Sequence, residues 1–510
     1  MSEQEFAEND SARRFAKGFV LFSTANGHKE QYPVLNKWSS SRIGQLTLAC
    51  HPDLVQSSAE HSGKKVVILG ICCDPVAHQS SSEIAEALCS IADTIDSAVL
   101  EKIDQLSGRF VILLSNADGV FIFPDACATK SVFFVADPTS IVVCASHPSL
   151  VAMICGYEAD VEVLRFWNSA EYGSEPPTTR YFPGMRTAFT GVSLLTPNVF
   201  MNARTRSLTR FFPRTPRIEE TNLETVAAEV TNILRAQLDL LGQSRTIVVS
   251  LTAGLDSRVT LASLKGRTNF ETFTYSFGEN QTAHVLRDVL LAEDIARRVN
   301  VNHRVVECVW PVSSHLTVSY NDFAALADEC LGIQHTEVLP QFSFSQQFGP
   351  NTLHLRSNIS EVGRVFYKQF RKEKLYAEDL AHKFSRSVGG SQFVQLAFSH
   401  WMDVVGFPTV EDFGYDKYDL FYWEHRVGAW FAPQLLISDL THDCVVPFNN
   451  RRVLERLLAL PFSNRNDNSA FYHMLQNIFP ELMLFPVNPP YSWAEARRNE
   501  YMSRRHSRQA

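Results

Sequence analysis

The sequence predicts an α+β domain followed by an α/β domain built on a doubly wound parallel sheet. Three observations carry this expectation. Short apolar runs punctuated by turn residues crowd the chain up to residue 148. A stretch without periodicity, TRFFPRTPRIEETN (209–222), then interrupts the pattern. Beyond it, an amphipathic helical pattern, a continuous β-branched run and further helix and strand patterns alternate.

Residues 1–17 are polar and are expected to form a tail. Domain one spans 18–208, with strands expected at GFVLFSTANG (18–27), KKVVILGICCDP (64–75), GRFVILLSNADGVFIFPD (108–125) and SIVVCASHP (140–148). Between the second and third runs, SEIAEALCSIADTIDSAVLEKIDQL spaces its Ile, Ala and Leu residues by three and four, so at least one helix packs on the sheet. The linker is 209–222 and domain two spans 223–497. Leu223, Val226, Val230, Ile233, Leu234, Leu238 and Leu241 mark one helical face, with Asn222 as N-cap and Glu224 in the first turn. TIVVSL (246–251) is too continuous and β-branched for anything but a buried strand. Strand FETFTYSF (270–277) and a helix carrying Val289, Leu290, Ile295 and Val299 repeat the unit. Residues 375–480 are mainly helical by period, and the arginine-rich end, 498–510, is expected to be a solvated basic tail.

At 510 residues and 45% hydrophobic content, the composition is that of an ordinary globular protein with ample core. Forty-seven basic against 55 acidic side chains leave −8, which argues against general attraction to nucleic acid or anionic lipid. The acidic start lacks the pattern of a secretory leader, and no apolar run approaches about 18 residues. A cytoplasmic protein with no membrane or nucleic-acid partner is the expectation. The 10 cysteines lie scattered in apolar stretches without paired spacing and read as buried free thiols.

The chemistry concentrates in VVSLTAGLDSR (248–258). A buried strand ends, short or flexible residues follow, and a helix begins. That arrangement aims backbone N–H groups and the hydroxyls of Thr252 and Ser257 at one spot on a helix N-terminus, where an anion is favoured. Asp256 would repel a bare phosphate, so a bridging cation, most simply Mg²⁺, is implied. No GxxxxGK[ST] motif occurs, which excludes a standard kinase-type or GTPase-type loop. The bland alternative is a tight strand-to-helix connection.

This line resembles the SGGLDS pyrophosphate loop of the asparagine synthetase family, with Thr252 in place of Ser and Ala253 in place of the first Gly. The resemblance covers most of the chain. GRFVILLSNADGVFIFPDACATKSVFFV (108–135) is similar to a segment of the family's glutaminase-fold sheet, with Asp125 on its aspartate and its arginine missing. FTYSF (273–277) looks like the strand whose backbone reads adenine, and ARRVNVNHRVV (296–306) like the helix and strand after it. LHLRSNISEVGRVFY (353–367) stands where the family has SGEGADELFGGY, which puts Glu361 on the aspartate that helps hold magnesium pyrophosphate. VVPFNNRRVLERLLALP (445–461) resembles the family's RVPF segment.

The resemblance implies an N-terminal glutaminase-like sandwich, of the N-terminal-nucleophile type, before an ATP pyrophosphatase (PP-loop) domain. It implies ATP held by Leu251, Thr252, Ala253, Gly254, Leu255, Asp256 and Ser257, with Ser276 beside adenine, and Mg²⁺ held by Asp256 and Glu361. The implied activity is an AMP-forming carbon–nitrogen ligase. It would adenylate a carboxylate and pass the acyl group to an amine, with these small molecules as partners and a homodimer as the assembly to test.

Two departures qualify this. The family's glutaminase uses a cysteine at position 2, where this chain has Ser2, and Leu69, Gly70 and Ile71 replace its glutamine-binding Asn-Gly-Glu. A glutaminase fold without glutaminase chemistry follows, as in the β-lactam synthetase branch. Asn468 also falls at the family lysine that neutralises transition-state charge. Arg258, Arg356 and Arg364 are the candidate replacements, since a guanidinium fork suits phosphate oxygens. Alternatively, Arg356 and Arg364 pair with acids such as Glu361.

YDLFYWEHRVGAW (418–430) allows two readings: an aromatic pocket with Glu424 as base, or an amphipathic helix with Phe421, Trp423 and Trp430 in the core. His303 and His354 are expected to be packed or hydrogen-bonded. The rival functions are a nucleotide-binding scaffold, an ammonia-dependent asparagine synthetase, and a PP-loop enzyme activating a non-carboxylate substrate.

Overall fold

The computed structural model describes residues 13–24, 29–243, 245–309, 319–349, 351–368 and 371–509. Ser2 and the end of the first apolar run (25–27) lie outside the described residues. The first half supplies β1 (Phe19–Phe22), β2 (Ser39–Ile43), β3 (Leu46–Cys50), β4 (Gln56–His61), β5 (Lys64–Asp74) and β6 (Gln79–Ser80), then helix α1 (Ser81–Ile91). It continues with β7 (Ser107–Asn116), β8 (Gly119–Pro124), β9 (Phe133–Val135), β10 (Val142–Ala145), helix α2 (Pro148–Cys155), β11 (Val192–Leu194), β12 (Val199–Asn202) and β13 (Leu208–Arg210).

These strands form two antiparallel sheets, in the orders β11-β9-β10-β1-β3-β2 and β13-β12-β8-β7-β5-β4, with β6 on β5. Alternation sorts the side chains. Phe19, Leu21 and Leu48 of the first sheet share a core with Val111 and Leu113 of the second. Val20, Phe22 and Ala49 pack on the opposite face with Leu150, Val151 and Ile154 of α2. Helix α1, started by a Ser80–Glu83 capping box, buries Ile84, Ala85 and Leu88 against the second sheet. The result is four layers, helix on sheet on sheet on helix. All 10 cysteines are free, and every one but the half-buried Cys155 is buried.

The second half begins with α3 (Leu223–Leu241), where Asn222 accepts from the Thr225 N–H at 3.1 Å and the expected apolar face is buried apart from its first residue, Leu223. Then come β14 (Thr246–Ser250), α4 (Leu255–Ser263), β15 (Phe270–Ser276), α5 (Ala283–Val299), β16 (His303–Glu307), β17 (Thr352–Leu355), β18 (Asp443–Val445), α6 (Ser469–Ile478) and α7 (Arg498–Gln509). All five strands pair in parallel, in the order β16-β15-β14-β17-β18. The order reverses between β14 and β17. In open parallel sheets ligands settle at the carboxyl ends of the strands at such a reversal.

The two halves share buried polar contacts. Arg109 forms a two-pronged pair with Asp439 at 2.5 and 2.9 Å, and the Lys130 ammonium joins the same carboxylate at 3.2 Å. Burial pushes Lys130 down to about 8, while Asp439 is held well below the usual carboxylate range by these cations against its own burial. Asp125 accepts from the N–H groups of Cys127, Thr129 and Lys130 and from Asn449, so it organises its own turn.

The expected solvated tail is corrected here. Residues 498–509 form α7, whose Tyr501 is fully buried. Its arginines have acidic partners: Arg504 reaches Glu293 and Asp294, and Arg505 reaches Glu279 and Glu307. Among the described residues no helix is long and apolar enough to cross a membrane.

Candidate active site

The loop after β14 and the turn after β17 emerge side by side because their strands are paired, Val249 opposite Leu355. Gly254 is the N-cap of α4 and no side chain caps this helix, which leaves its first N–H groups for another partner. Thr252 and Ser257 close the loop, with their hydroxyls 3.1 Å apart and the Thr252 N–H donating to Ser257 Oγ. Helix α5 holds it from behind through Asp288, which accepts from the Ala253 N–H at 3.0 Å. Leu251, Ala253, Leu255 and Ser257 are buried, whereas Thr252, Gly254 and Asp256 are partly exposed. The alternation presents a polar cradle on an apolar floor.

The Ser360–Arg364 turn supplies the facing wall. Ser360 and Arg364 both donate to the Asp256 carboxylate, and Arg364 Nε donates to Asn468 at 2.8 Å. Glu361 comes from the same turn, and its Oε2 is buried without a hydrogen-bond partner. Burial and the neighbouring Asp256 carboxylate push Glu361 up to about 7, against the pull of Arg364 and the Tyr422 hydroxyl. Burial opposes the charge on Arg364, but Asp256 outweighs it and raises the pKa above its ordinary value. Two carboxylates, one with an orphaned oxygen, are the donor set a divalent cation takes when polyphosphate completes its shell. Among the described residues no group of three or more metal-type ligands occurs, so these residues fit Mg²⁺ only in company with phosphate.

Asp256, Glu361, Arg364 and Asn468 are thus brought together beside the Thr252–Ser257 loop, and Arg258, Arg356 and Ser276 are not. Arg258 is fully buried and donates to the carbonyls of Ala253, Leu482, Phe485 and Pro486, at 2.6 to 3.1 Å. It clamps backbone and faces no phosphate site. Without a carboxylate partner, burial pushes it down to about 10. Arg356 pairs with Glu337 at 3.3 Å and stacks over Phe431, away from Asp256 and Glu361. Ser276 is buried, its hydroxyl 2.9 Å from that of Tyr501, so α7 already engages the side chain expected beside adenine.

The aromatic segment takes its core reading at Phe421 and Trp423, while Trp430 is half-buried and its indole N–H donates to Thr178 O at 2.9 Å. Tyr422–Phe431 is a π-helix, a form enriched at functional sites. Glu424 is fully buried and bound by Arg210 at 2.6 and 2.8 Å and by Asn198, which overturns its reading as a base. Trp423 and Phe421 are core. Tyr422 is buried in the same core, its ring 4.3 Å from that of Phe366 between centroids. His354 packs among Phe273, Phe344 and His442, and His303 bonds Thr272 Oγ1 at 2.9 Å.

Sequence reasoning missed Ser360 and Asp288. Ser360 adjoins Glu361 and was findable by adjacency. Asp288 sits on a helix next to Val289 and Leu290 and carries no motif of its own.

No protein-family model and no curated protein matches the chain. Among solved structures it is similar to the NMN synthetase of Francisella tularensis, at 12% identity and a TM-score of 0.19, over 37% of this chain and 73% of that one. The NH3-dependent NAD synthetase of Campylobacter jejuni subsp. jejuni aligns at 11% identity and a TM-score of 0.20, over 38% and 85%. A structure described as the allosteric regulatory enzyme of purine biosynthesis aligns at 9% identity and a TM-score of 0.24, over 67% and 88%. Likenesses this distant carry no assignment of chemistry, which rests on the geometry above.

Proposed function

We propose that the chain is an ATP-dependent carbon–nitrogen ligase. It adenylates a carboxylate, transfers the acyl group to an amine, and releases AMP and pyrophosphate without hydrolysing glutamine. One observation carries the reading: an uncapped helix start at Gly254 faces two carboxylates, Asp256 and the half-orphaned Glu361, at the point where the strand order reverses. Uncapped N–H groups of α4 and the hydroxyls of Thr252 and Ser257 would receive the β and γ phosphates. Mg²⁺ held by Asp256 and Glu361 would neutralise charge on the departing pyrophosphate.

The Arg364 guanidinium is the positive charge at this site and stands in for the missing lysine at Asn468. In the ligand-free arrangement it neutralises Asp256, and its fork can turn to a phosphate oxygen. Adenylation replaces a poor oxide leaving group by AMP, and the N–H cradle stabilises the pyrophosphate that leaves. The first half is proposed as a glutaminase-like fold with no nucleophile.

The test is Mg²⁺-dependent ATP binding, followed by AMP and pyrophosphate release over a panel of carboxylates and amines. Asp256→Asn is expected to abolish binding. ADP and orthophosphate as products would reject the assignment. ATP binding without pyrophosphate from any substrate would favour the scaffold reading, which the closed Asp256–Arg364 pair supports.

A further inference from the structure

A second polar cavity opens one aromatic ring away from Glu361. It has a volume of about 930 Å³ and is lined by Phe366 and Tyr367, just past the Ser360–Arg364 turn, and by Arg426 of the π-helix. Tyr422 joins the two sites. Its hydroxyl acts on Glu361 only by lowering that carboxyl's pKa against burial and Asp256, and its ring packs on Phe366. Arg426 lies over the same Phe366 ring at 5.2 Å.

The charges in this cleft do not balance. Lys368, Lys372, Lys383, Arg386 and Arg426 line it against two carboxylates, Glu175 and Asp379. Asp379 is committed to Lys372 at 2.5 Å, and Glu175 to the hydroxyls of Ser385 and Ser387 at 2.8 and 2.7 Å. Lys383 sits over the Tyr418 and Tyr367 rings at 5.1 and 5.6 Å. Burial, then the nearby Arg371 and Arg386, depress its pKa. Such a surplus of formal positive charge makes the cleft attractive to anions. The volume falls in the range that encloses ligands of drug or nucleotide size.

We propose that this cleft binds a substrate of the ligase as a polyanion, a small molecule bearing two or more carboxylate or phosphate charges. Its charged end lies toward Lys368, Lys383 and Arg386, and its reacting end passes Tyr422 toward the Asp256–Glu361 cradle. The inference rests on the ligase reading for the word substrate, and on the cleft alone for the anion.

Calorimetric titration of the full chain with citrate and with fructose 1,6-bisphosphate tests it and separates carboxylate from phosphate recognition. At least one probe is expected to bind the wild type, more weakly as salt is raised. The double variant Lys383→Met, Arg386→Glu is expected to lose roughly tenfold or more in affinity, which is 1.4 kcal/mol. Lys368→Glu, on the exposed rim, is expected to weaken it in the same direction without touching a buried group. Asp256→Asn should leave polyanion binding intact while ATP binding is lost. Absence of binding by both probes, or binding indifferent to Lys368, Lys383 and Arg386, would overturn the proposal. Polyanion binding in a chain that does not bind ATP would overturn the substrate role and the ligase reading while the anion site stands.

Discussion

Arg364 joins Asp256 to Asn468: Nη1 donates to the aspartate, and Nε donates to the asparagine amide oxygen at 2.8 Å. One guanidinium therefore stands between the loop after β14 and the start of α6, and it meets the asparagine that replaces a lysine in the resembling family. Arg364→Ala is expected to weaken Mg²⁺-dependent ATP binding by roughly tenfold or more, with Arg364→Lys restoring part of it. Asn468→Ala, which removes only the second partner, should cost less. Equilibrium dialysis with labelled ATP measures all three.

Arg258 predicts a loss of stability in place of a loss of chemistry. Arg258→Met would orphan carbonyls at Ala253, Leu482, Phe485 and Pro486, a cost of about 3 kcal/mol or more. Urea denaturation should show this shift, and Arg258→Lys should recover a fraction. A variant of unchanged stability that no longer binds ATP would assign Arg258 to the nucleotide after all.

Gly363 lies between Glu361 and Arg364 in the turn. A Cβ there would sit 2.6 Å from Leu457 Cβ and 3.0 Å from its Cδ1. Gly363→Ala is expected to displace the turn and weaken ATP binding without altering a ligand, and Gly363→Ala combined with Leu457→Ala should recover part of the affinity.

The Arg210–Glu424 pair ties β13 to the π-helix across the two halves. Glu424→Gln leaves a buried guanidinium without its counter-charge, for an expected loss of about 3 to 5 kcal/mol. Chemical denaturation reads it, and Arg210→Met, Glu424→Leu together should lose less than Glu424→Gln alone.

His425 sits among the rings of Phe398, Trp401 and Phe421, and burial pushes its imidazole down to about 3 from an ordinary 6.5. Between those values the unfolded chain binds a proton that the folded one refuses. Stability is therefore lost as pH falls through 6.5 toward 3. His425→Phe is expected to move the midpoint of acid unfolding to lower pH, with little change above pH 7, as followed by circular dichroism.

Much of the scaffold was legible in the residues. The 3.6-residue period of Leu223–Leu241 and its Asn222 cap report a helix because cap and stripe act within a few residues of each other. The β-branched run at 246–251 reports a strand buried on both faces for the same local reason. The Thr252–Ser257 cradle was legible too, since a strand, a short turn and a helix start are contiguous.

Elsewhere local chemistry gave the wrong partner. Arginines at 258, 356 and 364 look alike in the sequence, yet Arg258 clamps the 482–486 backbone, Arg356 pairs with Glu337, and Arg364 alone reaches Asp256. Glu424, readable as a base in a pocket or as part of a core helix, is a counter-ion to Arg210.

The sequence by itself determined the helix at Leu223–Leu241, the strand at 246–251 and that a helix start would carry Asp256, because propensity, period and capping are settled by near neighbours. Only the tertiary structure decided which charges face the cleft and whether 498–509 docks as α7. A charge takes its role from the groups within a few ångströms of it, and here those groups lie hundreds of positions away, as Asp439 lies 330 positions from Arg109.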